Sequence, residues 1–273
     1  MRTEEITVTP QMAKKWLEHN SANRPLVVGR VAIYARDMKT GNWQFNGETI
    51  SFDTTGSLRD GQHRLRACVA ADTPFRTLVN FDVDKDVTLY DRGKPRSTVD
   101  SLVMDGFGKN LINASVVAVA KMHFLIQKGE RMITDAEAKS FLEKYKTSLE
   151  RIVTIRGIGR RGDVTKVPID SAVPLTAAFY AYECGVSIET LTRFFQVVAT
   201  GFYEGDAELA AIVIRNDILK KVINYRGSYN ERVWGVFKIE KAIADFVAGN
   251  ARKRSYKSVQ EQTYSNNPKF KEE

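Results

Sequence analysis

The sequence predicts an α+β protein: an N-terminal α+β domain over residues 1–105, an all-helical domain over 106–249, and a basic flexible tail over 250–273. Three observations carry this. Short strand-like runs and turn dipeptides crowd the stretch from Asn42 to Tyr90. From Leu111 to Ala248 apolar residues recur at helical spacing, punctuated by caps. Beyond Asn250 the chain is polar and basic, with little apolar periodicity.

The elements follow in order. Thr9-Pro10 reads as an N-cap with proline in the first turn, opening a helix that runs to about Asn20. The polar turn Ser21–Pro25 leads to a second helix through Val27, Val31, Tyr34 and Met38, stopped near Gly41. Asn46-Gly47 between Trp43–Phe45 and Thr49–Phe52 predicts a hairpin. Ser57-Leu58-Arg59 reads as a short strand, Asp60-Gly61 opens a helix carrying Leu65, Cys68 and Val69, and strands are expected near Thr77–Val83 and Val87–Tyr90. Helices are expected over 111–128, 134–148, 169–184, 187–200, 207–224 and 230–248. Thr134-Asp135-Ala136-Glu137 has the form of a capping box.

Composition narrows the classes. The 273 residues carry 41 Lys+Arg against 33 Asp+Glu, a net charge of +8, and 43% are hydrophobic. Disordered, collagenous and low-complexity chains do not look like this. No apolar stretch reaches the roughly 18–20 residues that span a bilayer, and no secretory segment is read at the start. Two cysteines, Cys68 and Cys184, build no disulfide framework, which leads to the expectation of a reducing, cytoplasmic setting. Three histidines so widely separated offer no metal triad. The basic excess favours a polyanionic partner.

Chemistry concentrates in Leu58-Arg59-Asp60-Gly61-Gln62-His63-Arg64-Leu65-Arg66-Ala67. A strand–turn–helix junction with Gly61 at the turn leaves amide groups and the positive dipole end available to an anion. Arg64 can grip phosphate with two parallel hydrogen bonds, His63 can donate another, and Asp60 either caps the helix or holds Arg64. The competing reading is an ordinary turn and cap, with Arg64 paired to a carboxylate.

The string Asp60-Gly61-Gln62-His63-Arg64-Leu65-x-Ala67 resembles the signature of the ParB/sulfiredoxin-like superfamily, in its phage and bacterial ParB-like group. Asn23-Arg24-Pro25, Arg30, Tyr34, Gly41-x-Trp43, Asn46-Gly47-Glu48 and Asp91-x-Gly93-x-x-Arg96-Ser97 extend the likeness over residues of about 5–105. The resemblance implies that the turn at Asp60, Gly61, Gln62, His63 and Arg64 binds nucleotide phosphates. A nucleoside triphosphate, ATP or CTP, with or without Mg²⁺, is then the expected cofactor, and DNA metabolism the expected setting. Gln62 stands where sulfiredoxins have their catalytic cysteine, so reduction of a sulfinic acid is not expected, and Cys68 reads as a small core residue.

Glu48 is the candidate general base, with His63 assisting, against a solvated strand residue as the plain alternative. Arg92 and Lys94 suit ribose or phosphate contacts, or belong to an ordinary surface loop; Asp53 reads as a turn residue, with a metal ligand as the less favoured alternative. Arg156, Arg160, Arg161 and Lys166 form a basic glycine-rich run, and Arg252, Lys253 and Arg254 a second basic cluster beside Tyr256. Both suit nucleic-acid phosphates, and both also read as mobile connections. The expected function is nucleotide binding in DNA metabolism, with hydrolysis or transfer of a phosphate as its enzymatic form. A non-enzymatic DNA-binding protein is the alternative, and a metal-dependent nuclease ranks last.

Overall fold

The structure is a computed structural model that describes residues 1–20, 23, 25–84, 98–104, 114–158, 167, 169–256 and 264–271. It is mixed α and β, with eleven α-helices and one four-stranded sheet among the described residues. The chain divides into two compact units, Met1–Pro95 and Arg96–Glu273.

In the first unit the sheet order is β1 (Arg2–Val8), β4 (Phe75–Val83), β2 (Thr49–Asp53), β3 (Leu58–Asp60). β1 runs antiparallel to β4, pairing Arg2 with Phe81 and Val8 with Phe75. β2 runs parallel to β4 and antiparallel to β3. A parallel pair needs a crossover, which β3 and α3 (Gln62–Ala71) supply. α1 (Pro10–Leu17), α2 (Val28–Lys39) and α3 pack with the sheet around Val8, Ala13, Met38, Ile50, Leu58, Leu65, Cys68 and Val79. Trp16 meets Phe52 edge-on at 5.3 Å, and Trp43 meets Tyr34 and Phe75 at 5.2 and 5.7 Å.

Two expectations change here. The Asn46-Gly47 hairpin does not form. Gly47 does adopt a positive φ, and the Glu48 amide donates to the Asn46 side chain, so the turn exists. Its first arm, Trp43–Phe45, forms no strand, because β2 finds its partners in β3 and β4. β1, unforeseen, is a charged edge strand exposed over most of its length. The expected strand over 87–90 lies outside the described residues.

The second unit is helical: α4 (Thr98–Met104), α5 (Ala114–Lys128), α6 (Asp135–Lys144), α7 (Lys146–Val153), α8 (Ala172–Glu183), α9 (Ile188–Thr200), α10 (Leu209–Leu219) and α11 (Tyr229–Val247). Every residue of α8 from Val173 to Ala181 is buried, the mark of a central helix wrapped by the others. The capping box at Thr134 forms, with Thr134 Oγ1 accepting from the Glu137 amide at 3.0 Å. The single helix expected over 134–148 is two, broken at Tyr145, whose ring packs 4.9 Å from Phe179.

Part of the expected flexible tail is anchored: among its described residues, several are bonded to the helices. Tyr256 Oη donates to Asp245 at 2.8 Å, Ser265 Oγ donates to Glu240 at 2.9 Å, and Lys269 Nζ meets the Glu183 carboxylate at 3.0 Å. Phe270, 1% exposed, inserts edge-on against Tyr180 at 4.8 Å. Two aromatic anchors fourteen residues apart, Tyr256 and Phe270, leave no periodic pattern, which is why composition alone read the segment as loose. No described helix is long and apolar enough to cross a membrane.

Candidate phosphate-binding site

The candidate site is assembled where β2 and β3 lead into α3. Asp53 organises the turn between the two strands. Its carboxylate accepts from the Thr55 hydroxyl at 2.6 Å and from the Thr55 and Ser57 amides at 2.8 and 3.0 Å, and it pairs with the Arg59 guanidinium at 2.6 Å. These bonds, the Thr55 hydroxyl foremost, hold the Asp53 carboxyl well below the usual carboxylate range. Asp53 is thus the turn residue the sequence suggested.

A group whose proton affinity is depressed by folding stabilises the fold above its unfolded pKa and loses that effect as pH falls toward its folded value. Asp53→Asn is therefore expected to lower the melting temperature by several degrees at neutral pH. The gap from wild type should stay constant down to about pH 5 and close below about pH 4. Thermal melts across that range check the sign; a gap that widens in acid would contradict it.

Gly61 follows β3 with φ +100° as the N-cap of α3, so it supplies no capping side chain. A Cβ there would lie 2.8 Å from Cγ1 of buried Ile50. The sequence suggested that this glycine admits a phosphate; the structure shows that it first admits the core. Asp60 does not cap the helix. Its carboxylate accepts from Arg64 Nη2 at 3.1 Å, and the same nitrogen donates to the Thr49 carbonyl at 2.6 Å. Arg64 thereby ties β2, β3 and α3 together. Its side chain is only 9% exposed, and its other terminal nitrogen, Nη1, is buried with no hydrogen-bond partner. An unmet guanidinium N–H in the first turn of an uncapped helix is matched by an anion.

Gln62 and His63 are buried beside it. His63 Nε2 accepts from the Val27 amide at 3.1 Å, so this nitrogen anchors the amino end of α2 rather than donating to a ligand. Gln62 Oε1 accepts from Asn20, and Asn23 donates to Asn20 and to the Leu58 carbonyl. Asn20, Val27 and Thr49 were not singled out in the sequence. Two of them act through main-chain atoms, which leave no side-chain signature, and Asn20 reads as any helix-ending residue.

The remaining candidates scatter. Glu48 is exposed, and its recorded hydrogen bonds are main-chain ones, to Asn46 and Thr77; it adjoins the site only through Thr49. Arg92, Lys94, Arg160, Arg161 and Lys166 lie outside the described residues. Arg156 sits in a short 3₁₀ turn, Thr154–Gly157, with its Nε buried and unbonded. Arg252 stacks on Tyr256 at 4.3 Å, while Lys253 and Arg254 are exposed. Cys68 is wholly buried, and burial together with nearby Asp72 pushes its thiol up to about 11, so it is a core residue and not a nucleophile. Among the described residues, no three His, Cys, Asp or Glu side chains converge as metal ligands would.

No protein-family model, curated protein or solved structure matches this chain.

Proposed function

We propose that the first unit binds the phosphates of a nucleotide at the amino end of α3, as the resemblance to the ParB/sulfiredoxin-like superfamily implies. One observation carries the reading: Arg64 is buried at an uncapped helix start with one guanidinium nitrogen unsatisfied. A buried, unmet N–H costs about 1–3 kcal/mol, and a phosphate oxygen removes that cost while meeting the helix dipole. Gln62 and His63 are held beside Arg64 by Asn20 and Val27. Because His63 is engaged in this way and Glu48 is exposed, the reading is one of binding: the helix start and Arg64 hold phosphate, and among the described residues neither His63 nor Glu48 is placed against it as a general base. ATP and CTP, with or without Mg²⁺, remain the expected ligands, and phage or bacterial DNA metabolism the proposed setting.

Calorimetry with ATP, CTP and GTP, alone and with Mg²⁺, tests this. Binding of at least one nucleotide is expected. Arg64→Lys keeps a cation near Asp60 but loses the planar fork, and is expected to weaken that binding by about tenfold or more. Absence of binding to all three nucleotides, or equal affinity in a folded Arg64→Lys, would sink the proposal.

A further inference from the structure

A second feature stands in the helical unit and does not depend on the α3 site. Trp234 is 38% exposed on α11, whose Val236, Ile239, Ala242 and Ile243 are buried. Beneath the indole lies Lys238, one turn further on and only 1% exposed, its Nζ 4.0 Å from the ring centroid. The same ammonium lies 3.5 Å from Asp217 of α10 and 3.4 Å from Ser255 Oγ. Ser255 in turn donates to that Asp217 carboxylate at 2.6 Å.

This buried cluster pins three surface segments to one place. Lys220 and Lys221 lie within about a turn of Asp217 and are exposed. Lys253 and Arg254 immediately precede Ser255 and are exposed too. The segments that carry these four exposed cations are thus tied to the helix that carries the exposed indole, whose ring rests on a buried ammonium. Of the acidic groups nearby, Asp217 is taken up by Lys238 and Ser255 and Asp245 by Tyr256, while exposed Glu231 bonds Ser228 and keeps its charge.

We propose that this surface binds single-stranded nucleic acid, a base stacking on the outer face of Trp234 and flanking phosphates meeting Lys220, Lys221, Lys253 and Arg254. An aromatic face with cations on the segments tied to its helix suits alternating planar bases and phosphates. A duplex keeps its bases stacked inside, so a single indole on a helix surface finds no face to join. The four cations alone would attract any polyanion; the exposed ring is what selects an unpaired strand.

The test is fluorescence anisotropy of the full chain with labelled oligo(dT) of about 20 nucleotides, at about 50 mM salt where phosphate contacts are strong. The expected result is binding that weakens steeply with salt and quenches tryptophan emission. Trp234→Ala should weaken it about tenfold, and Trp234→Phe, which keeps a ring, should restore most of the loss. Lys253→Glu with Arg254→Glu should weaken binding and flatten the salt dependence, and Arg64→Lys should leave oligo(dT) binding unchanged. The proposal is overturned if oligo(dT) does not bind, if a folded Trp234→Ala binds as well as wild type, or if a duplex of equal length binds as tightly as the single strand. Should Trp234→Ala fail to fold, the charge-reversed pair decides: undiminished binding there also overturns it.

Discussion

Phe270→Ala is expected to destabilise the helical unit by about 3–5 kcal/mol, the range for removing a buried phenyl ring from a packed core. Phe270 is 1% exposed and meets Tyr180 at 4.8 Å, Phe179 at 6.0 Å and His123 at 6.1 Å. The residues around the vacated volume are themselves held. Tyr180 Oη is 3.0 Å from His123 Nδ1 and accepts from Gln127, whose amide also donates to the Ser265 carbonyl. Collapse into the cavity would break those bonds, so the loss should fall in the upper part of the range. Differential scanning calorimetry, with hydrogen exchange to locate the effect, should show earlier melting of residues 114–256 and little change in the first unit. Lys269→Ala serves as the control, since its pair with Glu183 is partly exposed and such pairs contribute about 1 kcal/mol or less. Equal melting of Phe270→Ala and wild type would mean that the C-terminal segment is not part of the core.

Gly61→Ala is expected to cost the first unit about 2–4 kcal/mol, through two effects of the same sign. A side chain at φ +100° is strained whatever the space around it, and the added Cβ would press on Ile50 at 2.8 Å. Ile50 is fully buried in the middle of the sheet, so it cannot swing aside without moving β2. Double substitution separates the two effects. Ile50→Ala together with Gly61→Ala removes Cγ1 and Cγ2 and so relieves most of the overlap but none of the backbone strain, so it should recover part of the loss beyond what Ile50→Ala costs by itself. Denaturant unfolding of the four proteins checks this; strict additivity would remove the contact from the explanation. The same result bears on the phosphate site, because a glycine required by packing is required whether or not a ligand is present.

Much of the helical half was legible, because its signals are local. Thr9 and Thr134, both read as caps, accept a hydrogen bond from an amide of the first turn of their helix, and Ser187 and Ser228, which were not, do the same. Helix ends were less legible: α1 stops at Leu17 and α10 at Leu219, short of the periodic pattern. Strand pairing was the poorest part. β1 joins β4 across 67 to 79 residues, and its sequence, Arg-Thr-Glu-Glu-Ile-Thr-Val, carries the charges of an exposed edge rather than an apolar run. The Asn46-Gly47 turn was read correctly as a turn and wrongly as a hairpin, because a turn dipeptide reports the backbone at two residues and not which strand comes to lie alongside.

The candidate phosphate site divides along the same line. Sequence alone determined that a glycine, a histidine and an arginine stand at a strand-to-helix junction, and that Asp60 is one turn from Arg64; covalent connectivity and helical spacing settle those facts. Only tertiary structure decided what each atom does. Arg64 spends one nitrogen on Thr49 and Asp60 and keeps the other unmet, and His63 faces Val27. Likewise Lys238 brings Trp234 beside the Arg252–Ser255 stretch. Hydrogen bonds and ring contacts between distant residues depend on how the whole chain packs, and no spacing along the sequence encodes them.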